Sequence, residues 1–333
     1  MQMNYAKEIK ARTSEFRQYL ESGRYTADDQ FRVIFKASKR NSPILTGLNV
    51  EVLDNHVSIH QQTPAHFAGN MLWFCSNGDV KIFSDSEVLT LCCSQDNYVR
   101  KISNYDYFSR FFRIPAWICR DDKNYILVEQ LVTFENKKDQ DDAFLLETIY
   151  NDYTHYFNYI YREAMMNYRS INDLIRLSPN TTHRKEFEDI IHLIDPCLFE
   201  VSFPFMRLHG DLWTDNLLLK KESTDDKQLW YIDWDASGEY IFFYDFFKFI
   251  WNELDVHDNK VYYDRYVKGE YDVMLGKIFA IFDLEFRPEQ KSSYFCMFFL
   301  NTLLEDNGVM TYEVKRMELA DFQRKVVAFM KDS

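Results

Sequence analysis

The chain is organised around two short stretches: Leu208-His209-Gly210-Asp211-Leu212-Trp213-Thr214-Asp215-Asn216 and, after a charged turn, Trp230-Tyr231-Ile232-Asp233-Trp234-Asp235. The apolar run that precedes Asp233 is typical of a buried strand, which would carry the carboxylate to the strand end, facing the first stretch. We therefore expect the ends of short apolar strands to deliver Asp211, Asn216 and Asp233 to one site.

These three residues have the chemistry that phosphoryl transfer requires. The reaction needs a base that orients or deprotonates an acceptor hydroxyl, and oxygen ligands for the magnesium ions that neutralise the triphosphate. Asp211 is the candidate base, and the preceding Gly210 allows a tight turn of the backbone. Asn216 offers a neutral metal ligand on the same loop, and Asp233 is the candidate main metal ligand.

The pattern His-Gly-Asp-Leu-x-x-x-Asn, followed by Ile-Asp-Trp-Asp, resembles the catalytic and metal-binding segments of the aminoglycoside phosphotransferase and choline kinase-like family, which includes sugar kinases. Protein kinases have a related loop with Arg at the position of Gly210 and a Phe-Gly pair after the metal-binding Asp. Gly210 and the pair Trp234-Asp235 therefore favour the small-molecule kinases. The resemblance covers residues 208–235 and implies an α+β, two-lobed protein kinase-like fold that binds ATP and Mg²⁺, with an antiparallel-sheet N-lobe and a mostly helical C-lobe.

Composition limits the class of protein. The 333 residues are 46% hydrophobic, which suffices for a substantial core, and the net charge of -13 argues against nucleic acid as the main partner. The six cysteines lack paired metal-ligand spacing, so we expect a reduced, cytoplasmic protein. Residues 1–25 contain no apolar signal core and no run of eighteen apolar residues occurs, so we expect a soluble protein, with peripheral membrane contact left open.

Periodicity predicts three regions. Residues 1–30 form a helical lead-in, with an amphipathic helix over 3–21. Residues 31–131 form the nucleotide-binding N-lobe, with short strand patterns and the hairpin signal Asn77-Gly78-Asp79. Residues 132–333 form the C-lobe, which carries the catalytic loop, the acceptor site and a final amphipathic run over 312–330.

The nucleotide-binding residues are predicted by the resemblance. If Tyr98 to Ile102 is the third leading strand, Lys101 occupies the phosphate-contacting position, whereas an alternative register gives that position to Lys81. We favour Lys101 slightly. The strand that ends at Glu129, Gln130 and Leu131 would supply the backbone groups that bind adenine. Two features depart from the family: no glycine-rich loop joins the candidate strands, and Asn104 to Phe112, the expected lobe helix, contains no Glu to pair with the lysine.

The acceptor is predicted only by class. A sugar, free or within a glycan, is the first expectation, because the Leu-Trp pair after Asp211 resembles sugar kinases and Trp213, Trp234 and Tyr240 could stack on sugar rings. A choline-like amino alcohol is the second. A catalytically inactive scaffold is the alternative of a different class, and a protein kinase is disfavoured. Asp245 matches a residue that braces the catalytic loop in the family, although an ordinary helix cap is an equal alternative.

Overall fold

The computed structural model describes residues 5–28, 30–46, 48, 57–60, 67–177, 184–221, 227–304, 320–322 and 324–325. The chain divides into two compact units. One comprises Met1–Asp141 and Leu218–Ile232, and the other comprises Asp142–Leu217 and Asp233–Ser333. The predicted class, an antiparallel-sheet N-terminal region and a mostly helical C-terminal region, is confirmed.

An eight-stranded sheet forms the framework of the first unit, and every pairing in it is antiparallel. The strands lie in the order β3-β1-β2-β4-β5-β6-β8-β7. Their bounds are β1 Gly23–Ala27, β2 Val33–Lys36, β3 Val57–Ile59, β4 Met71–Phe74, β5 Val80–Phe83, β6 Glu87–Leu91, β7 Trp117–Asp121 and β8 Ile126–Gln130. Side chains alternate between buried and partly exposed along β5, as expected for a strand with one face on the core.

The lead-in helix packs on this sheet. Helix α1 (Tyr5–Ser14) ends earlier than the predicted 3–21, and a 3₁₀ turn at Arg17–Tyr19 follows it. Ile9 is fully buried in one cluster with strand residues such as Ile34, Leu72 and Ile82. The compact unit therefore includes the lead-in region.

One predicted strand is wrong. Tyr98 to Ile102, and with it Lys101, lies in helix α2 (Gln95–Phe108) between β6 and β7. Ser94 caps this helix because its hydroxyl accepts a hydrogen bond from the Asn97 N–H at 3.2 Å. Tyr98, Asn104 and Phe108 are the buried positions of α2, so helical spacing determines the structure here rather than the short β-type run. The helix predicted for Asn104 to Phe112 is the end of α2.

Helices dominate the second unit, together with a small sheet of order β13-β10-β9. The helices are α3 Asp142–Arg162, α4 Ile171–Leu177, α5 Arg184–Ile191, α6 Tyr244–Asp255, α7 Val261–Val267, α8 Asp272–Ala280 and α9 Lys291–Leu304. The sheet strands are β9 Asn167–Arg169, β10 Phe203–Leu208 and β13 Gly238–Ile241, and a separate hairpin pairs β11 Leu217–Lys221 with β12 Lys227–Tyr231. Helices α6 and α9 are buried along most of their length among aromatic side chains.

The compact units differ from the predicted ranges in two places. The first unit extends to Asp141 rather than 131, and it includes Leu218–Ile232, which the sequence assigned to the C-lobe. The predicted amphipathic run over 312–330 lies outside the described residues except for 320–322 and 324–325. Among the described helices, none is long and apolar enough to cross a membrane. All six cysteines are free thiols.

Candidate active site

The candidate catalytic loop comprises residues 209–216. It follows the end of β10 at Leu208 and turns sharply at Gly210. Gly210 has φ +82°, and a Cβ atom built there would lie 2.1 Å from the carbonyl oxygen of Ala236. Both facts require glycine, because the backbone is left-handed and no space exists for a side chain. The loop therefore excludes the Arg that protein kinases have at this position.

Asp245 holds the backbone of this turn. Its carboxylate accepts hydrogen bonds at 2.8 Å from the His209 N–H, at 2.8 Å from the Gly210 N–H and at 2.7 Å from the Tyr153 hydroxyl. Burial raises the pKa of Asp245, and the hydrogen bonds oppose that rise. The N-cap position of α6 is Phe243 and not Asp245. Asp245 thus contacts the loop as the resemblance implied, and it is not a helix cap.

The carboxylate of Asp211 is surrounded by donors on one side and open on another. Its Oδ1 accepts a hydrogen bond from Asn252 Nδ2 at 3.0 Å and lies 3.7 Å from Lys248 Nζ. Its Oδ2 lies 3.3 Å from Asn216 Nδ2. The side chain keeps 39% of its surface exposed, so a ligand can reach it. This arrangement orients the carboxylate and leaves it accessible.

The sequence interpretation missed Lys248 and Asn252. Both lie on α6, three and seven residues after Asp245, and this spacing places all three on one helical face. A polar stripe of this kind within an otherwise apolar segment is a detectable signal. It predicts that the helix packs against polar groups, because isolated buried charges are costly.

Asn216 fits the role of a neutral cation ligand. It is buried at the end of a 3₁₀ turn (Thr214–Asn216), and its amide nitrogen donates to the Asp211 carbonyl at 2.8 Å. The nitrogen thus points toward Asp211, which leaves the amide oxygen as the group that can bind a cation. Hard cations such as Mg²⁺ prefer oxygen ligands, so the donor type is suitable.

Asp233, the other predicted metal ligand, is exposed and lies two residues beyond β12 in a left-handed conformation, with φ 61° and ψ 58°. The next residue, Trp234, packs on His209 with ring centroids 4.4 Å apart. This contact attaches the Asp233 segment to the catalytic loop. Among the described residues, no three His, Cys, Asp or Glu side chains form a metal cluster. Mg²⁺ does not require one, because it is commonly held by one or two carboxylates together with substrate phosphates and waters.

Glu253 fixes the far end of the loop. Its carboxylate accepts hydrogen bonds from the N–H of Thr214 at 3.2 Å, from the Thr214 hydroxyl and from Asn259 Nδ2. His257 lies 3.4 Å from both Glu253 and Asp215. Helix α6 and the residues after it therefore hold both ends of the loop.

Two of the three aromatics predicted to stack on a sugar have structural contacts instead. Trp234 is buried against His209, and Tyr240 is buried, stacks on Tyr244 at 4.1 Å and donates to the Ala236 carbonyl at 2.9 Å. Trp213 is only half-buried, and its ring centroid lies 5.2 Å from that of His257. Of the three, Trp213 remains the candidate for ligand contact.

The lysine candidates lie in the first unit. Lys101 Nζ lies 3.2 Å from the buried carboxylate of Asp79, so the helix that carries Lys101 is tied to the β4–β5 turn. Burial alone would raise the pKa of Asp79, but the hydrogen bond from the Cys93 N–H, the charge of Lys101 and the bond from Asn97 together lower it. Lys81 lies on β5, as predicted, opposite Trp73 and Thr90.

The adenine-binding candidates lie at the end of β8, as predicted. The N–H groups of Gln130 and Leu131 donate to the carbonyls of Ala116 and Ser86, at 2.9 and 2.8 Å. Glu129 is paired in the sheet with Val88 and Trp117. The Gln130 and Leu131 amides are thus used within the first unit, and the structure leaves the nucleotide role of these residues a prediction.

Comparison with known proteins gives a consistent but distant likeness. No protein-family model matches the chain, and no curated protein matches it. The chain is similar to small-molecule kinases of known structure. An aminoglycoside 2'-phosphotransferase in complex with GDP is 15% identical, with 74% of this chain and 88% of that chain covered and a TM-score of 0.45.

A choline kinase from Streptococcus pneumoniae is 10% identical over 75% of this chain and 89% of that chain, with a TM-score of 0.42. A choline/ethanolamine kinase family protein from Mesorhizobium loti is 13% identical over 86% and 92% of the two chains, with a TM-score of 0.35. At such low similarity, the roles of individual residues rest on the contacts within this chain.

Proposed function

We propose that the protein is an ATP- and Mg²⁺-dependent phosphotransferase that phosphorylates a hydroxyl group of a small molecule. The observation that carries the proposal is the placement of Asp211. Its carboxylate has donors from Asn216, Asn252 and Lys248 around it, remains partly open to a ligand and lies on a loop that Asp245 anchors. A rigidly held and accessible carboxylate is what orientation of an acceptor hydroxyl requires.

Each residue then has a distinct task. Asp211 accepts a hydrogen bond from the acceptor hydroxyl and takes its proton as the hydroxyl oxygen bonds to the γ-phosphorus of ATP, whose bond to the bridging oxygen breaks to release ADP. Asn216 and Asp233 would hold Mg²⁺, which supplies charge neutralisation for the phosphates when bound. Asp245 and Glu253 keep the loop in place, so little reorganisation is needed during transfer.

For the phosphates we now favour Lys81, because Lys101 already pairs with Asp79 on a helix. For adenine, Glu129, Gln130 and Leu131 stay the proposed contacts. For location we propose the cytoplasm, because all six cysteines are free thiols, including the exposed Cys93, Cys119 and Cys197. We propose no nucleic acid partner, because a net charge of -13 would repel a phosphate backbone.

For the acceptor we propose a sugar, free or within a glycan, and an amino alcohol is the competing class. Trp213 supports the sugar, since it follows Asp211 closely and is partly exposed. The exposed part of its ring could stack on a sugar ring.

A thermal-shift titration tests the nucleotide and metal roles, because a ligand that binds the native state raises its apparent stability. ATP with Mg²⁺ should raise the melting temperature of the wild-type protein more than ATP alone. Asp233→Ala should lose the Mg²⁺-dependent part, whereas Asp211→Ala should keep it and lose transfer to the acceptor. Equal transfer by both variants would contradict the assignment.

A binding scaffold without turnover is the second candidate function. Its support is the first unit, where the β4–β5 connection is the tight turn Cys75 to Asp79 and Lys101 is committed to Asp79. A scaffold would bind nucleotide without transfer to any acceptor in a broad panel. Magnesium-dependent turnover of one acceptor would exclude it.

A further inference from the structure

A buried cation lies beside the proposed base. Lys248 is 3% exposed, within helix α6, and its ammonium group lies 3.7 Å from Oδ1 of Asp211. Asn252 donates to the same oxygen. The Oδ1 side of the carboxylate is therefore occupied by the protein. Oδ2, whose contact with Asn216 is a long 3.3 Å, is the oxygen left to bind an acceptor hydroxyl.

The positive charge of Lys248 should affect which acceptors can bind next to Asp211. An acceptor that carries an ammonium group close to its reacting hydroxyl, as an amino alcohol does, would bring a second cation near Lys248. Asp211 gives that cation little net attraction, because Lys248 already compensates its charge. A neutral polyol meets no such repulsion.

We propose that Lys248 is a specificity-determining residue that selects acceptors without positive charge near the reacting hydroxyl, such as sugars and sugar alcohols, against amino alcohols. This inference rests on the proposed function, because it assumes that the acceptor hydroxyl binds Asp211. The charge of the Lys248 side chain would thus restrict the acceptor to neutral molecules.

The size of the effect follows from Coulomb's law. Two like charges about 8 Å apart near a protein surface repel with an energy that corresponds to roughly thirtyfold in an equilibrium constant. Solvent and salt reduce this value because Asp211 is partly exposed, so a discrimination of about tenfold is expected.

The test compares acceptor panels rather than single activities. We would measure kcat and KM with ATP and Mg²⁺ for neutral sugars and sugar alcohols, and for choline, ethanolamine and aminopropanol. The proteins are the wild type, Lys248→Met, Lys248→Arg and the control Lys277→Met, which changes an exposed lysine of α8. Methionine keeps the length of the apolar stem and removes the charge, whereas arginine keeps the charge.

In Lys248→Met, the ratio of kcat/KM for polyols to kcat/KM for amino alcohols should fall about tenfold, mainly because KM for amino alcohols falls. Lys248→Arg and Lys277→Met should keep the wild-type ratio. Any common loss of turnover cancels in the ratio, so a general effect on Asp211 does not imitate selection. If Lys248→Met fails to fold, Lys248→Gln removes the charge and keeps a polar group.

Two results would overturn the inference. The wild type could prefer amino alcohols, or the ratio could stay unchanged in the neutral variants. In these cases turnover itself upholds the proposed function. Absence of both turnover and an ATP-Mg²⁺ thermal shift in the wild type would instead remove the proposed function, and this inference with it.

Discussion

The catalytic loop of the second unit and the nucleotide-binding candidates of the first unit are built in different ways. In the loop, side chains from α6 and from α3 converge on a few backbone groups, and Asp245 alone receives three hydrogen bonds. In the first unit, Lys81, Lys101 and Gln130 lie on three separate elements, β5, α2 and β8. Buried polar groups that are fully satisfied specify one geometry, so the loop is the stronger basis for a functional assignment.

The largest effect should come from Gly210→Ala. Backbone strain and the collision with Ala236 should cost about 3 kcal/mol, and transfer should fall at least about a hundredfold because the base moves. The measurements are denaturant unfolding and steady-state transfer. Gly276→Ala on α8 is the matched control, since an added Cβ there has no heavy atom within 4 Å, and a small stabilisation is expected. Similar losses in both variants would show that the loop is not specially constrained.

Asp245→Asn should have the next largest effect. An amide cannot accept two backbone N–H bonds on separate oxygens, so one buried donor loses its partner at a cost of about 2 kcal/mol. The turn at His209 and Gly210 should loosen, and kcat should fall more than KM rises. Tyr153→Phe is the control, because it removes one donor and leaves both backbone bonds in place, with a loss of about 1 kcal/mol. Equal kinetic losses would mean that the backbone bonds are not the decisive contacts.

The sequence predicted the residues of the loop itself, but it did not predict which residues of α6 contact the loop. The proximity of Asp211 and Asn216 could be predicted, because the two residues lie on one short loop. Lys248 and Asn252 could not be assigned to it without knowing which face of α6 packs on the loop. The turn between β4 and β5 was predicted, because Asn77-Gly78-Asp79 is a hairpin signal.

Helix α2 was mistaken for a strand because the apolar pattern in this segment is ambiguous. Tyr98-Val99-Arg100-Lys101-Ile102 is a run of only five residues, which is too short to separate a strand from a helix. Ser94 at the N-cap was the signal that favoured a helix. Hairpin β11–β12 was assigned to the C-lobe from chain order, whereas it belongs to the first unit, and only tertiary contacts reveal that placement.

Asp79→Asn should show how the first unit differs from the loop. We expect a loss of about 1–2 kcal/mol at neutral pH, since Lys101 loses its buried partner, and no change in transfer. Because the folded-state pKa of Asp79 is lowered, its contribution is present above the unfolded pKa and is lost as pH falls through the folded pKa. The difference in unfolding free energy between wild type and variant should therefore shrink below about pH 4. A difference that grows in acid would contradict the assignment, and a large fall in transfer would mean that this pair belongs to the active site.

The smallest effect should come from the two lysines, compared by ATP titration in a thermal-shift experiment. Lys101→Met should lower the melting temperature of the free protein, because the Asp79 carboxylate stays buried without its cation. It should nevertheless keep the ATP-dependent rise. Lys81→Met should instead shrink the rise with ATP by the few degrees that one lost phosphate contact represents. The reversed pattern would return the phosphate role to Lys101 and would require the Asp79 pair to open when nucleotide binds.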